Sequence, residues 1–167
     1  MEISNSEFNE LGSQLVLPLF EGSGKAPNNS LTGLNRNQRS LVREALVSGD
    51  FDGKKGKRLT LWTPGCNIIL VGMGEKNSLG HKRARNTGAR LIASMSKKKG
   101  LEVTVRFNSG WTSRRMIDFA EGMMLRDYEY LLHQEIPEDH IGDSWRVDFQ
   151  ASSRHQENLS DGLIGDL

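Results

Sequence analysis

Two glycines flank a methionine at the end of an apolar run, a position where many proteins bind phosphate. The run Asn67–Val71 is followed directly by Gly72-Met73-Gly74. Backbone amides of a glycine-rich turn between a strand and a helix can cradle a phosphate group. However, Asn77 stands where the third glycine of a dinucleotide fingerprint belongs, and the sequence has no Walker lysine–threonine pair. The pattern therefore favours a tight structural turn over a nucleotide site.

A basic segment follows this turn. Its members lie on or just after one amphipathic stretch: His81, Lys82, Arg83, Arg85, Arg90, Lys97, Lys98 and Lys99. A basic stripe can contact phosphates, and the ordinary alternative is a solvated outer helix face. No aromatic residue interleaves with these charges, so the platforms on which single-stranded nucleic acid stacks are missing. We therefore favour the solvated face.

The remaining reactive side chains do not form a recognisable active site. The histidines (His81, His133, His140 and His155) are not at metal-site spacings from one another, from cysteine or from carboxylates. Cys66 has no basic neighbour in sequence, which disfavours a reactive thiol. Asp118 and Glu121 share a predicted helix face, which we expect to be solvated. We therefore predict no catalytic, cofactor-binding or metal-binding residue in this chain.

Strands and helices alternate in the regions that would position these side chains. Strands are predicted at Ser13–Phe20, Arg58–Trp62, Asn67–Val71, Leu101–Phe107 and Trp145–Phe149, and helices at Asn35–Val47, Ser78–Lys98 and from Thr112 or Ser113 to about His133. Asn35 and Ser78 can cap the first two helices. Helical spacing predicts that the second helix buries Ala84, Gly88, Leu91, Ile92 and Met95. Pro18 should limit the first strand to an edge or a strand end. Helical spacing predicts that Leu41, Val42 and Ala45 face the core. The alternation predicts a three-layer α/β/α sandwich with a mixed, largely parallel sheet of five or six strands.

Composition and charge fit a soluble protein of one domain and a tail. The chain has 167 residues and a net charge of +1. Residues 1–116 hold 19 basic and 9 acidic side chains, whereas residues 117–167 hold 3 and 12, so the two parts should attract each other. A single cysteine favours a reducing compartment. With no apolar run long enough to span a bilayer and no basic start typical of a signal peptide, we expect a cytoplasmic protein without a membrane partner.

The order of several motifs resembles the N-terminal domain of the leucyl (cytosol) aminopeptidases. The matching segments are Leu41–Leu46, Gly49–Gly56, Leu59–Leu61, Ile68–Lys76, Ser78–Lys98, the Gly122, Leu125, Tyr128 and Tyr130 series, and Asn158–Leu167. Pro18 and the stretch Glu21–Asn37 depart from the family pattern. The resemblance implies a macro-domain-like fold without catalytic residues, with residues 1–134 forming the domain. Residues 135–167 would hold a linker, a last strand and the start of a helix leading to a catalytic domain.

The resemblance also implies what a complete enzyme would contain. In this family a C-terminal catalytic domain binds two divalent metal ions, zinc or manganese, through lysine, aspartate and glutamate ligands, and the enzyme is a homohexamer. The sequence contains no Asn-Thr-Asp-Ala-Glu-Gly-Arg segment, so no catalytic residue is carried over. We expect the chain to serve assembly and active-site access, with its own catalytic domain and other copies as partners.

Two alternatives belong to other classes of protein. One is a macro-like module that binds ADP-ribose or a related nucleotide, for which Phe107–Gly110 is the only candidate for a late phosphate loop, and a poor one. The other is a nucleic-acid-binding domain that uses the basic helix at 78–98. We do not expect nucleic acid as a partner, because the segment lacks stacking side chains.

Overall fold

A computed structural model describes residues 2–6, 11–22, 28–95, 101–108, 110–132 and 146–151. Its strands are β1 (Glu2–Ser6), β2 (Gln14–Leu19), β3 (Arg58–Leu61), β4 (Asn67–Gly72), β5 (Glu102–Arg106) and β6 (Arg146–Gln150). Its α-helices are α1 (Arg36–Val47), α2 (His81–Met95) and α3 (Ser113–Leu132). Short 3-10 helices occupy Asn28–Leu31 and Lys76–Ser78.

The six strands form one mixed sheet in the order β1-β6-β5-β2-β4-β3. All neighbouring pairs are parallel except the antiparallel pair of β3 and β4. Helices cover both faces, which confirms the predicted α/β/α sandwich with its largely parallel sheet. Parallel strands buried on both faces account for the continuous apolar runs in β2 and β4.

The first predicted strand is an interior strand rather than an edge. β2 lies between β4 and β5, and all six of its residues are buried. Pro18 pairs in register with Val71 of β4, whereas the ladder with β5 ends at Val16. The proline therefore lies near the strand end, beyond the β5 ladder, where its missing amide costs no hydrogen bond to β5. Its carbonyl oxygen accepts a hydrogen bond from the indole nitrogen of Trp111 at 3.3 Å.

The two faces of the sheet carry different cores. On one face, alternate residues of β2 and β4 pack against α1 in a largely aliphatic cluster built from Leu15, Leu17, Leu19, Leu31, Leu34, Val42, Ala45, Leu46, Phe51, Cys66, Ile68 and Leu70. The other face packs against α2 and α3 and holds a contiguous aromatic group of Phe20, Phe107, Trp111, Phe119 and Phe149. Helix α2, which carries most of the basic segment, packs on this second core.

Helix α2 approaches α3 closely because of a small residue at their contact. The side chains buried by α2 are Ala84, Leu91, Ile92 and Met95, together with Gly88, and this is the stripe that helical spacing predicts. A Cβ atom added at Gly88 would lie 2.1 Å from the carbonyl oxygen of Phe119. The glycine therefore allows the backbones to meet, at the usual cost of glycine in a helix.

The structure tests three predictions about the caps and the buried faces of the helices. Asn35 caps α1 as expected, in a reciprocal arrangement with the amide and side chain of Gln38. The expected burial of Leu41 is wrong, since 39% of that side chain is exposed. The prediction that Ser78 caps the second helix is also wrong. Ser78 ends the 3-10 helix that precedes α2, and its hydroxyl accepts a hydrogen bond from Arg83.

The sheet extends beyond the boundary at residue 134 that the sequence predicts. β6, which lies past that boundary, is an interior strand between β1 and β5. Among the described strands, β1 pairs with β6 alone, in parallel register from Glu2↔Arg146 to Ser6↔Gln150, and no pattern in the sequence predicts this strand. The division at 134 itself stays a prediction.

Candidate functional site

The turn after β4 is held by the backbone around it. A Cβ atom added at Gly72 would lie 2.0 Å from the carbonyl oxygen of Lys54, so no larger residue fits without a backbone shift. Gly74 has a φ of +73°, a conformation that other residues adopt at a cost. Between them, Met73 is fully buried. Both glycines are therefore explained by close packing of the segment 53–57 against the end of β4.

The amides of this turn are already bonded within the protein. In Gly72-Met73-Gly74 the first amide donates to the carbonyl of Lys57 at 2.8 Å, the second to that of Leu19 at 2.9 Å and the third to that of Gly53 at 2.9 Å. A phosphate loop needs amides that point at the ligand without an internal acceptor. This turn therefore has no backbone donors left for a phosphate, which supports the structural interpretation of the glycines.

A basic cleft lies beside the turn, between the segment 55–58 and helix α2. It has a volume of about 460 Å³, and its neutral lining is Gly56, Val71, Ser78, Gly80, Asn86, Thr87, Leu91 and Ser94. Six cations of the described residues line it: Lys55, Lys57, Arg58, Lys82, Arg83 and Arg90. Within the described part of the chain, no aspartate or glutamate lines it. The basic segment is thus one wall of a concave site rather than an isolated helix face.

Some of these cations are fixed by neighbouring side chains and others are not. Arg83 donates to the hydroxyl of Ser78 at 2.7 Å, and Arg58 donates to that of Ser94. The ammonium of Lys57 lies 3.5 Å from Asp52. Lys55, Lys82 and Arg90, in contrast, have no ion-pair partner among the described residues. The cleft therefore gathers positive charge that the described protein leaves largely uncompensated.

Asp118 is buried, contrary to the expectation of a solvated helix face. Its carboxylate is fully inaccessible, and one oxygen lies 2.5 Å from Nδ1 of His81. The other oxygen lies 3.8 Å from Arg85 and 3.7 Å from Arg114, and Arg85 also pairs with Glu121. Asp118 thus joins the start of α2 to α3. A buried carboxylate among cations is an ordinary structural link, and two of the basic residues on α2 are used by it.

Arg106 is a second ionisable group that the sequence does not identify as buried. Only 1% of it is exposed, although it alternates with the apolar residues of β5. Its guanidinium donates to the side-chain oxygen of Gln150 at 2.7 and 3.0 Å and to the carbonyls of Ser30 and Thr32. Burial lowers the pKa of Arg106 to about 10, so it stays charged at neutral pH. It fastens the loop before α1 to the sheet.

Cys66 lies in the aliphatic core and does not resemble a nucleophile. It is 7% exposed, and burial raises the pKa of its thiol despite a backbone hydrogen bond and the charge of Arg106. A raised pKa leaves little thiolate at neutral pH.

Several residues that the sequence analysis considers are not described by the structure. They are His133, His140, His155, Lys97–Lys99 and the stretch Asn158–Leu167.

The described residues show neither a metal-binding cluster nor a membrane-spanning helix. The described residues contain no group of three or more histidine, cysteine, aspartate or glutamate side chains that could hold a metal ion. Nor does the described part of the chain contain a helix with the length and apolar content to cross a bilayer. The fold and site thus define a helix-covered α/β domain whose most distinctive surface is a basic cleft.

The family to which this domain belongs is shown by its sequence. Residues 16–134 match the N-terminal domain of the cytosol aminopeptidase family, and the chain belongs to that family. The match begins in β2 and ends just after α3, so it covers most of the sheet and all three α-helices. No curated protein sequence matches the chain.

Solved structures share the fold at low sequence identity. A mutant of tomato leucine aminopeptidase matches with a TM-score of 0.66 and 19% identity, over 98% of this chain and 35% of that one. The bottromycin maturation enzyme BotP matches with a TM-score of 0.50 and 14% identity, over 90% of this chain and 29% of that one. The chain therefore spans about a third of the length of the tomato enzyme.

Proposed function

We propose that this chain is the non-catalytic N-terminal domain of a metal-dependent aminopeptidase that removes N-terminal amino acids from peptides. The observation that carries the proposal is the family match over residues 16–134. Its fold also matches about a third of tomato leucine aminopeptidase. The family match ends at residue 134, the sheet continues through β6, and the residues after β6 would lead into the catalytic domain.

The chemistry would belong to that catalytic domain. Two zinc or manganese ions held there would polarise the scissile carbonyl and activate water. In the described residues, the buried ionisable groups are used in structural contacts: Asp118 links two helices and Arg106 fastens a loop. Support for a non-catalytic role comes from these contacts and from the bonded amides of Gly72-Met73-Gly74.

The domain would serve assembly of a cytoplasmic homohexamer and access to its active sites. Four large hydrophobic side chains are exposed on the described surface: Leu41, Val47, Trp62 and Leu125. Trp62 and Val47 are 70% and 79% exposed, which is compatible with contacts to a catalytic domain or another copy. The sequence also predicts an apolar stripe of Leu159, Leu163 and Leu167, which lies outside the described residues.

An activity assay tests the proposal. The purified 167-residue chain should release no detectable product from leucine p-nitroanilide, with or without added Mn²⁺ or Zn²⁺, whereas full-length tomato leucine aminopeptidase serves as the positive control. A longer product of the same gene should be active and should lose activity with a chelator. Metal-dependent hydrolysis by the 167-residue chain, or a downstream region without lysine, aspartate and glutamate ligands, would overturn the proposal.

A further inference from the structure

We propose that the basic cleft binds a compact anion that carries two or more phosphate groups. The cleft is the space between the segment 55–58 and helix α2 described above, with its six cations. This inference does not depend on the aminopeptidase proposal, because it concerns a surface of this domain alone.

The cleft concentrates positive charge on both of its walls. Three cations come from the turn and edge strand, and three come from α2, so the two walls present like charge to each other. Asp52 pairs with Lys57 at 3.5 Å and with Lys54 at 3.3 Å. It is therefore shared between two lysines, and one of them lies outside the cleft. Like charges that converge without counter-ions repel, and a bound polyanion relieves that repulsion.

The cleft also supplies hydrogen-bond donors, which come from its cations and from the amide of Asn86. Three hydroxyls line it as well, but each already donates to a backbone carbonyl: Ser78 to Glu75, Thr87 to Arg83 and Ser94 to Leu91. The hydroxyl of Ser78 holds the guanidinium of Arg83 at 2.7 Å, so one donor fork is already positioned. Gly80 and Lys82 place the first turn of α2 at the cleft, and the positive end of a helix dipole favours phosphate. Charged donors on a polar background suit phosphate oxygens.

The shape of the cleft favours a small ligand over a nucleic-acid strand. The volume of about 460 Å³ lies within the usual range of small-molecule sites. Cations face each other across a concavity, whereas a strand-binding groove would line them up along its length. Among the described residues no aromatic side chain lines the cleft, and its apolar members Val71 and Leu91 are only 6% and 3% exposed. The surface therefore recognises negative charge and offers little to a base or an acyl chain.

Calorimetry with tripolyphosphate on the 167-residue chain tests the proposal. We expect saturable binding at low salt and about tenfold weaker binding to the double variant Arg83→Gln/Arg90→Gln. The matched control is Arg36→Gln/Arg43→Gln, which removes two exposed arginines from α1 on the opposite face of the sheet. It keeps the same net charge as the test variant, so its affinity should stay within about twofold of the parent chain.

A second pair, Lys55→Gln/Lys82→Gln, should weaken binding in the same direction and replaces the first pair if that one fails to fold by circular dichroism. Inorganic phosphate should bind more weakly than tripolyphosphate. A 12-base-pair DNA duplex distinguishes the sources of phosphate: equal or tighter binding than tripolyphosphate at matched phosphate concentration would overturn the proposal in favour of a nucleic-acid surface. Absence of binding, or an equal loss in the α1 control, would overturn it outright.

Discussion

The glycine turn at Gly72-Met73-Gly74 and the basic cleft beside it are neighbours with opposite properties. The turn has part of the sequence pattern of a phosphate loop, yet its three amides all donate to carbonyl oxygens of the protein. The cleft has no such motif, yet it brings together six cations from two separate elements. The two glycines of this turn therefore reflect close packing of the backbone and not a ligand site. Whether donors remain for a ligand depends on the contacts that the fold adds.

The largest effect is expected at Arg106, a buried cation that the protein uses in structural contacts. Arg106→Met would leave the side chain of Gln150 and the carbonyls of Ser30 and Thr32 without a charged donor. We expect the free energy of unfolding to fall by about 3 kcal/mol, measured by urea denaturation. A loss below about 1 kcal/mol would show that this buried arginine is not a structural fastener.

A smaller loss is expected at the glycine turn. Gly72→Ala places a Cβ atom 2.0 Å from the carbonyl oxygen of Lys54, and relief of that overlap should cost about 2 kcal/mol. Gly80→Ala is the control, since its Cβ atom would meet nothing within 4 Å. Thermal unfolding of both variants measures the difference. Equal melting temperatures would mean that the turn is loose enough to rearrange around a ligand.

The thiol on the other face of the sheet should be inert. Burial raises the pKa of Cys66 above its ordinary value of 9.0, so the folded chain should react with Ellman's reagent at pH 8 about 100-fold more slowly than the chain in urea. Because the unfolded thiol ionises first as the pH rises, this group favours unfolding above about pH 9. Rapid reaction in the folded state would reveal an accessible nucleophile far from the cleft.

The smallest change in stability is expected in the cleft itself. Arg83→Gln/Arg90→Gln removes two mutually repelling cations at the cost of one hydrogen bond to Ser78, so the free energy of unfolding should shift by no more than about 0.5 kcal/mol. Chemical denaturation beside the Arg36→Gln/Arg43→Gln control measures it. A loss above about 1.5 kcal/mol would make these arginines structural and would remove the contrast with Arg106.

Local patterns in the sequence predict much of this fold. The capping residue Asn35, the buried stripe of α2 and the alternation in β5 all follow from spacing and side-chain type, because each depends on neighbours in the chain. β1 is different. Its residues, Glu2–Ser6, contain one large apolar side chain, and its strand state comes from parallel pairing with β6, some 140 residues away.

Non-local contacts also determine the surroundings of the buried charges. The sequence predicts a solvated helix face at Asp118, but in the fold α2 brings His81 within 2.5 Å of it. Arg106 is buried because the loop at 30–32 covers it, and that contact leaves no local pattern in the sequence. The cleft is also non-local, since half of its cations precede β4 and half follow it. Tertiary contacts of this kind leave no periodic signal in the sequence.

Hydrogen exchange measured by NMR tests the contrast between turn and cleft most directly. In the free chain, the amides of Gly72-Met73-Gly74 should exchange slowly because each is bonded to a backbone carbonyl. Addition of tripolyphosphate should shift the side-chain Nε resonances of Arg83 and Arg90 and leave the exchange of those three amides unchanged. Fast exchange of the three amides in the free chain, followed by protection when the anion is added, would contradict the account, because the glycine turn would then be the phosphate cradle.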